Sequence, residues 1–434
     1  MWVMNPLKNL MKATISMNNT ETKGRLPIIT TAFLVMGNVL GVGVLALPIK
    51  CGLCGFIPAL ISIVLIWAVM LISAWVIAYK INLEKSDSFD IPSFYGNALG
   101  KAGKWVAIAC NLILLYGVLV AYLGGISTMV YSLAKNSFPN LPISTSLITI
   151  IYFCILTTMI LFGMEALRKG NMVVIAVIWI TFFGLVLTGV SYFDVEKLNY
   201  TDWKLMVVGL PVAVSAFHFH NIIPTVSRAL KHDVAACRKA IFIGVFLGLL
   251  INLIWVTVVL GTMTENGSGL SKNTIEEAYW HSLPATVPMA EILKSRLFTI
   301  FSTVFAVFAV TASYMANGAG LFGFIRDMTV TYLKKDSRLL VGCISFLPPL
   351  IVALVYPHIF LSALDIVGGV GETVLFAILP AFILIQMVRS KNRILTLVGY
   401  TMLIIGAFVL VYVVGDKLNI IDLVPPDPNP ILFR

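Results

Sequence analysis

Few side chains in this sequence can do chemistry, and they cluster. Residues 217–224 read FHFHNIIP, which sets His218, His220 and Asn221 beside Phe217 and Phe219 in an otherwise apolar stretch. Imidazole changes charge near neutral pH, so either histidine could carry a proton or hydrogen-bond a bound molecule. Residues 368–376 read GGVGETVLF, with Glu372 in the middle of an apolar run. A carboxyl kept from water holds a proton and can pass it on, which makes Glu372 a rival to His220 as a proton carrier. Residues 309–327, AVTASYMANGAGLFGFIRD, add Thr311, Ser313 and Asn317. The oxygens of Thr311 and Ser313 suit a small cation, and equally suit their own helix carbonyls. No nucleophile elbow, Walker loop or H-E-x-x-H zinc motif accompanies these groups, so no enzyme chemistry, resident metal or cofactor is expected.

A second stretch is unusual for its backbone. Residues 37–48, GNVLGVGVLALP, place Gly37, Gly41 and Gly43, with Asn38 and Pro48, inside one apolar run. Each glycine costs about 1 kcal/mol relative to alanine within a helix. Gly37 and Gly41 have the spacing of a close-packing face. The same glycines also let the chain leave helical geometry, and the amides of Gly41, Val42 and Gly43 would then open a second half-helix. A half-helix N-terminus is partly positive and presents N–H donors, which suits a carboxylate. Pro224 marks a comparable interruption at 217–224. Carbonyls released near Asn38 and Phe217 suit an ammonium group. Together the two breaks make a site for a zwitterion, the backbone of an amino acid. Phe217 and Phe219 could line an apolar pocket for a large side chain.

The elements that must hold these groups follow from composition. The chain is 59% hydrophobic and 12% charged over 434 residues, whereas a soluble domain is about half apolar and a quarter charged. A membrane-spanning helix needs roughly 20 apolar residues. Eleven such runs occur, at about 27–50, 54–80, 105–133, 144–162, 171–190, 205–229, 239–262, 297–325, 339–356, 363–387 and 394–414. The net charge of +10 is distributed by side: alternate connections carry clusters such as Arg228, Lys231, Arg238 and Lys239, while the others carry acids such as Asp194, Glu196, Glu276 and Glu277. This asymmetry reports orientation, with the basic side cytoplasmic, and argues against a nucleic-acid partner. The N-terminal segment 1–26 has no signal-peptide pattern and is expected inside. Eleven spans then put the tail 415–434 outside.

The interrupted first and sixth spans lie five spans apart. That spacing fits two five-helix repeats, about 27–190 and 205–387, each opening with a broken helix, and an extra helix at about 394–414. Transporters with inverted repeats bind their substrate at the midplane between such helices. In the third span, NLILLYGVLVAYLGG (111–125), Asn111, Tyr116 and Tyr122 could reach that point. Residues 81–104 and 263–296 are long connections expected to contain short helices. Asp365 falls near the outer end of the tenth span. Cys51 and Cys54 form a lone C-x-x-C, which reads more readily as packing than as a metal or redox site.

Four stretches, in order, carry a resemblance. GNVLGVGVLALP matches a first-span pattern of small residues, G-x-G and a following proline. AYLGG (121–125) matches a third-span Ala-Tyr element. FHFHNIIP is similar to F-G-F-H-x-x-x-P, and GLFGFIRD (320–327) to G-L-F-D-F/Y-x-x-D. On these motifs the chain resembles the bacterial aromatic and hydroxy amino acid permeases, the tyrosine- and tryptophan-specific carriers and their serine and threonine relatives in the amino acid–polyamine–organocation superfamily. The resemblance implies a LeuT-like fold, a bacterial inner-membrane location, a cytoplasmic N-terminus and proton-driven symport of an amino acid. It places Gly41, Gly43, Tyr122, Phe219 and His220 at matched positions. His218 stands where the pattern has glycine, Gly323 where it has aspartate, and Asn38 where bacterial members usually have threonine or another small residue. Asn38 instead looks like the first-span asparagine of eukaryotic amino acid/auxin permeases, some of which use sodium.

The sequence is therefore read as an all-α, polytopic membrane protein of eleven spans with a LeuT-like 5+5 inverted repeat plus one helix. The expected activity is ion-coupled import of an amino acid, aromatic by resemblance. The expected substrate-binding residues are Asn38, Gly41, Val42, Gly43, Tyr122, Phe217, His218, Phe219, His220 and Asn221. The expected ion-coupling residues are His220, Glu372, Thr311, Ser313 and Asn317, with a proton as the coupled ion and sodium as the alternative. The expected partners are the amino acid and the bilayer, with no protein partner evident. The competing readings are a serine/threonine carrier of the same fold, a divalent-metal transporter using the histidines and nearby methionines, and an amino acid receptor that moves nothing.

Overall fold

In a bilayer each unpaired backbone N–H or C=O costs several kcal/mol, so a chain this apolar must close its hydrogen bonds within helices. The computed structural model describes residues 27–39, 41–84, 90–137, 140, 142–162, 164–263, 274–389 and 392–424. Segment 1–26 and the tail beyond 424 lie outside the described residues. Among those described, β pairing is confined to a single bridge between Gly55 and Thr201. Ten helices are long and apolar enough to cross a membrane. An eleventh span is the bent pair α1 (Pro27–Val39) and α2 (Gly43–Gly52), whose axes differ by 59°.

The remaining elements follow in order. Helices α3 (Phe56–Glu84), α4 (Ile91–Ser137), α5 (Thr145–Phe162) and α6 (Met164–Val190) complete the first five spans. Residues 91–99 of α4 are the short helix expected in the 81–104 connection. Gly100, at φ 77°, kinks the chain there before it enters the third span. The sixth span is divided into α7 (Leu210–Ala216) and α8 (Ile223–Ala229). Helix α9 (Val234–Leu260) leads to the two short helices expected in the long connection, α10 (Ile275–Trp280) and α11 (Thr286–Leu293). Then come α12 (Arg296–Met328), α13 (Arg338–Val355), the tenth span from α14 (Phe360–Ile366) to α15 (Leu379–Val388), and α16 (Arg393–Lys417). The two halves of the tenth span are joined by π-helical turns at Val367–Glu372 and Val374–Ile378. Widened turns of this kind occur often at functional sites, and Glu372 closes the first of them.

Both interrupted spans sit at the centre because small residues let their backbones meet there. A Cβ on Gly43 would lie 2.7 Å from Ala216 Cα and 3.0 Å from its nitrogen, so α2 and α7 cross almost backbone to backbone. A side chain on Gly368 of the tenth span would strike the Pro211 carbonyl of α7. Trp255 of α9 donates its indole N–H to the Val44 carbonyl at 3.0 Å, and Trp67 of α3 donates to Val245 at 3.2 Å. These bonds tie α2, α3 and α9 together around α7. Helix α12 packs against α4 and α6 on the other side. Cys51 and Cys54 are both buried free thiols. Cys51 faces Gly209, where a Cβ would lie 2.6 Å from its sulfur, so the C-x-x-C is a packing feature of this crossing.

Gly43→Ala is expected to destabilise the fold by about 1–3 kcal/mol, the usual range for forcing atoms into a filled core. Gly323→Ala, where nothing lies within 4 Å of the added carbon, is expected to melt like the parent. Thermal unfolding of the two purified variants in one detergent checks this.

Candidate functional site

At the first break α1 ends at Val39 and α2 begins at Gly43. The Val44 and Leu45 N–H groups reach back to the carbonyls of Gly41 and Val42, at 3.2 and 3.0 Å. The amides at 41–43 thus open α2, at the partly positive end of the half-helix. Asn38 donates its side-chain N–H to the Leu34 carbonyl of its own helix at 3.2 Å, which leaves its side-chain oxygen available. At the second break the Phe217 N–H bonds to the carbonyls of Ala213 and Val214, and the His218 N–H to Ser215. Among the described residues, the carbonyls of Phe217 and His218 accept no backbone hydrogen bond.

A cavity of about 340 Å³ joins the two breaks. Asn38, Gly41, Val42 and Gly43 line it from the first, and His218 and Asn221 from the second. Tyr122 reaches it from α4, Ser313 and Asn317 from α12, and Glu372 from the tenth span. A Cβ on Gly41 would lie 3.8 Å from the Ser313 hydroxyl, so that hydroxyl faces the first break directly. Asn317 donates to the Tyr122 hydroxyl at 3.2 Å and to the Ser313 carbonyl at 3.0 Å.

Four residues expected in the site lie elsewhere. Phe217 and Phe219 are fully buried in the surrounding core and do not line the cavity. Thr311 shares a hydrogen bond of 2.7 Å with the Tyr152 hydroxyl of α5, which turns it away from the first break. His220 is buried behind the wall, stacked on Phe376 at 4.5 Å, with neither ring nitrogen partnered. The short helical turn that starts at His220 returns its ring to the core, while His218, still in the unwound stretch, faces the cavity. His218 Nδ1 lies 3.0 Å from Glu372 Oε1, and the two side chains are 12% and 1% exposed. His218 Nε2 and Glu372 Oε2 have no partner. Of the other third-span candidates, Tyr116 donates instead to the Ile344 carbonyl of α13 at 2.8 Å.

A second cavity of about 360 Å³ shares His218, Asn221, Ala316 and Asn317 with the first. It holds Asn111 in its wall and runs to Asp90 and Asp327 at the basic face. Toward the opposite face, charged and polar contacts tie α2 to its neighbours. Lys50 Nζ, buried at the end of α2, lies 2.9 Å from Asp365 Oδ2, and Lys417 of α16 lies 3.3 Å from the same oxygen. The Tyr279 ring of α10 covers the Lys50 ammonium at 4.5 Å. The Ala285 N–H, just before α11, bonds to the Leu45 carbonyl at 2.9 Å. His358, in the turn before the tenth span, has its pKa lowered by burial and then by neighbouring His281, so it adds little positive charge at this face. A larger cavity, about 960 Å³, lies between α4, α11 and α12 and contains no residue of either break.

Sequence reasoning did not find the apolar wall, formed by residues such as Phe33, Ile175, Ile178 and Ala312. In a membrane span these types read the same whether they face lipid or a cavity. It also did not find the Lys50–Asp365–Lys417 cluster. The available signal was a lysine and an aspartate at the ends of apolar runs, where opposite charges seek each other.

The sequence pattern of the tryptophan/tyrosine permease family matches residues 25–418. A tyrosine-specific transport system of Haemophilus influenzae is 28% identical over 342 residues, 78% of this chain and 83% of the relative. Among solved structures, MhsT in complex with L-phenylalanine superposes with a TM-score of 0.58 at 12% identity, covering 92% of this chain and 98% of that one. A manganese transporter of Eremococcus coleocola, in complex with an aromatic bis-isothiourea compound, gives 0.57 at 15% identity, covering 91% and 87%. At these identities the two structures establish the shared LeuT-like fold.

Removing one partner of a buried ion pair typically costs about 3–5 kcal/mol, because a charge is left without compensation. Asp365→Ala is expected to lose that much stability. The double change Lys50→Met with Asp365→Leu, which removes both charges, is expected to recover most of it. Lys417→Gln is expected to cost less than Asp365→Ala, since Lys417 is 33% exposed. Chemical denaturation of the four proteins in one detergent gives the order.

Proposed function

The chain belongs to the tryptophan/tyrosine permease family and is a multi-pass membrane transporter of amino acids, and from that premise we propose that it imports an aromatic amino acid by symport with protons. The observation that carries this reading is the single cavity joining both helix breaks, with the Glu372–His218 pair in its wall. The carboxylate of the amino acid meets the amides at 41–43. Its ammonium group meets the carbonyl of His218 and the side-chain oxygen of Asn38. Charge thus meets opposite partial charge at both ends of the zwitterion.

Glu372 and His218 hold the coupled proton between them. With one shared proton the pair is neutral overall, either as acid and imidazole or as carboxylate and imidazolium. Without it, a net negative charge stays in a water-poor site, which is costly. In this reading substrate and proton enter together from outside. Opening toward the basic face admits water, which receives the proton. Lysine and arginine distribution supports a cytoplasmic assignment of that face, and on that reading this conformation is open inward and closed outward. The closed face opens when α2 and the short helices α10 and α11 move away from Asp365. In the sodium alternative, Ser313 is the hydroxyl left at the first break, because Thr311 is bonded to Tyr152. A divalent-metal cargo has less support: no group of three histidine, cysteine or acidic side chains able to hold a metal is found among the described residues.

The test is uptake of labelled tyrosine, tryptophan and phenylalanine into proteoliposomes under an imposed proton gradient, then a sodium gradient. Uphill accumulation is expected from the proton gradient alone. Glu372→Gln is expected to equalise internal and external substrate, because a carrier without its coupled ion cannot work uphill. Accumulation that follows sodium and ignores the pH gradient would overturn the coupling. Uptake of none of the three would overturn the cargo.

A further inference from the structure

The cavity of about 960 Å³ between α4, α11 and α12 shares no lining residue with the central one of about 340 Å³. Two cations stand at its mouth: Lys294, between α11 and α12, and Arg296, the first residue of α12. Their placement runs against two ordinary preferences. Lysine and arginine cluster on the other face of this chain, in keeping with their usual bias to one side of a membrane. A cation at a helix N-terminus also opposes the helix dipole. Neither cation has an ion pair among the described residues. Glu291, the acid at the same mouth, has an interaction of its own but no ion pair with either of them. Ser295 caps α12 by accepting the Phe298 N–H, so the positive end of a 33-residue helix adds to the same field.

Below the mouth the character changes. The cavity follows α12 from Ser295 to Val304, roughly 14 Å at 1.5 Å per residue, or about one leaflet of a bilayer core. The hydroxyls along this stretch are bonded to their own helix. Thr299 donates to the Ser295 carbonyl at 3.0 Å, and Ser302 and Thr303 donate to the Thr299 carbonyl at 3.0 and 2.7 Å. A hydroxyl bonded in this way leaves no free donor for a ligand. Met129 of α4 and Ile300 and Val304 of α12 supply apolar wall. Ile300 is 47% exposed and Leu297, one turn above, 60%. Exposed apolar side chains at this level of a membrane helix face hydrocarbon, so the cavity opens sideways toward lipid.

We propose that this cavity binds an anionic phospholipid, with the phosphate between Lys294 and Arg296 at the start of α12 and an acyl chain running down α12 past Thr303. A charged mouth above an interior without free donors matches an amphiphile with an anionic head, whereas a water-soluble anion leaves the apolar depth unfilled. The proposal is independent of the cargo and of the coupled ion. Helix α11 forms one wall of the cavity, and Ala285 just before it bonds the α2 backbone at Leu45. A lipid seated here therefore lies against an element that covers the first broken span.

The experiment titrates the full-length protein, in a neutral detergent, with dioleoyl phosphatidylglycerol or dioleoyl phosphatidylcholine. Native mass spectrometry reads the bound lipid, and tryptophan fluorescence reads the melting midpoint. Phosphatidylglycerol is expected to bind about tenfold or more tightly than phosphatidylcholine and to raise the midpoint by about 2 °C or more. Lys294→Gln and Arg296→Gln are each expected to weaken phosphatidylglycerol binding about fivefold, and the double variant to remove most of the preference. Both side chains are exposed, so these variants are expected to fold. Val304→Trp, which fills the deep end without changing charge, is expected to weaken phosphatidylglycerol binding as well, and Thr303→Phe serves if that variant does not fold. Equal binding of the two lipids by the parent would overturn the site. So would an unchanged preference in the double variant. Full binding by the cavity-filling variant would overturn it too, by showing attraction to surface charge alone. None of these readouts uses transport, so their failure leaves amino acid import standing, and absence of uptake leaves the lipid site standing.

Discussion

A polypeptide in hydrocarbon cannot leave backbone hydrogen-bonding groups unpaired without a penalty of several kcal/mol each, and this protein interrupts two helices in mid-membrane. Most of the central architecture follows from accommodating those interruptions. Glycine at 43 lets α2 start against Ala216, so the two breaks lie side by side. Gly368 lets the tenth span close over α7. Trp255 bonds the Val44 carbonyl of α2 from a neighbouring helix. What stays open after this packing is the set of amides at 41–43 and the carbonyl of His218, at one cavity.

Two ionic clusters accompany that cavity, one in its wall and one beyond it at the opposite face. Lys50, Asp365 and Lys417 join α2, the tenth span and α16, with Tyr279 over the first lysine. Two cations on one carboxylate oxygen hold the closed face together from three elements distant in sequence. The pair formed by His218 and Glu372 is different in kind. Each partner keeps one buried side-chain atom without a hydrogen bond.

The tenth span serves both clusters. It carries Asp365 near one end and Glu372 about two turns further along, with π-helical turns from Val367 onward. Glycines at 368, 369 and 371 keep it against α7, α16 and α4. This packing holds Asp365 and Glu372 on one span against three neighbouring helices. The short helices α10 and α11 lie over the same face, bonded to the α2 backbone at Leu45.

Much of this was legible in residue order. Eleven apolar runs, two interruptions five spans apart, the short helices in the long connections and the basic side of the molecule are all local signals, set by hydropathy, glycine and proline within a few residues. Asn38, Gly41, Val42, Gly43, Tyr122, His218, Asn221, Ser313, Asn317 and Glu372 stood out because polar or flexible residues are rare in a membrane span, and all of them line the cavity. What residue order could not decide was direction. One residue along a helix turns a side chain by about 100°, and only the packed neighbours say which way the cavity lies. Thus Thr311 met Tyr152 rather than the first break, and His220 turned into the core while His218 faced the site. Pairings across the chain were equally invisible: Lys50 and Asp365 are 315 residues apart, and His218 and Glu372 come from two separate spans. Such contacts leave no local trace because they depend on how helices pack, which only the tertiary structure specifies.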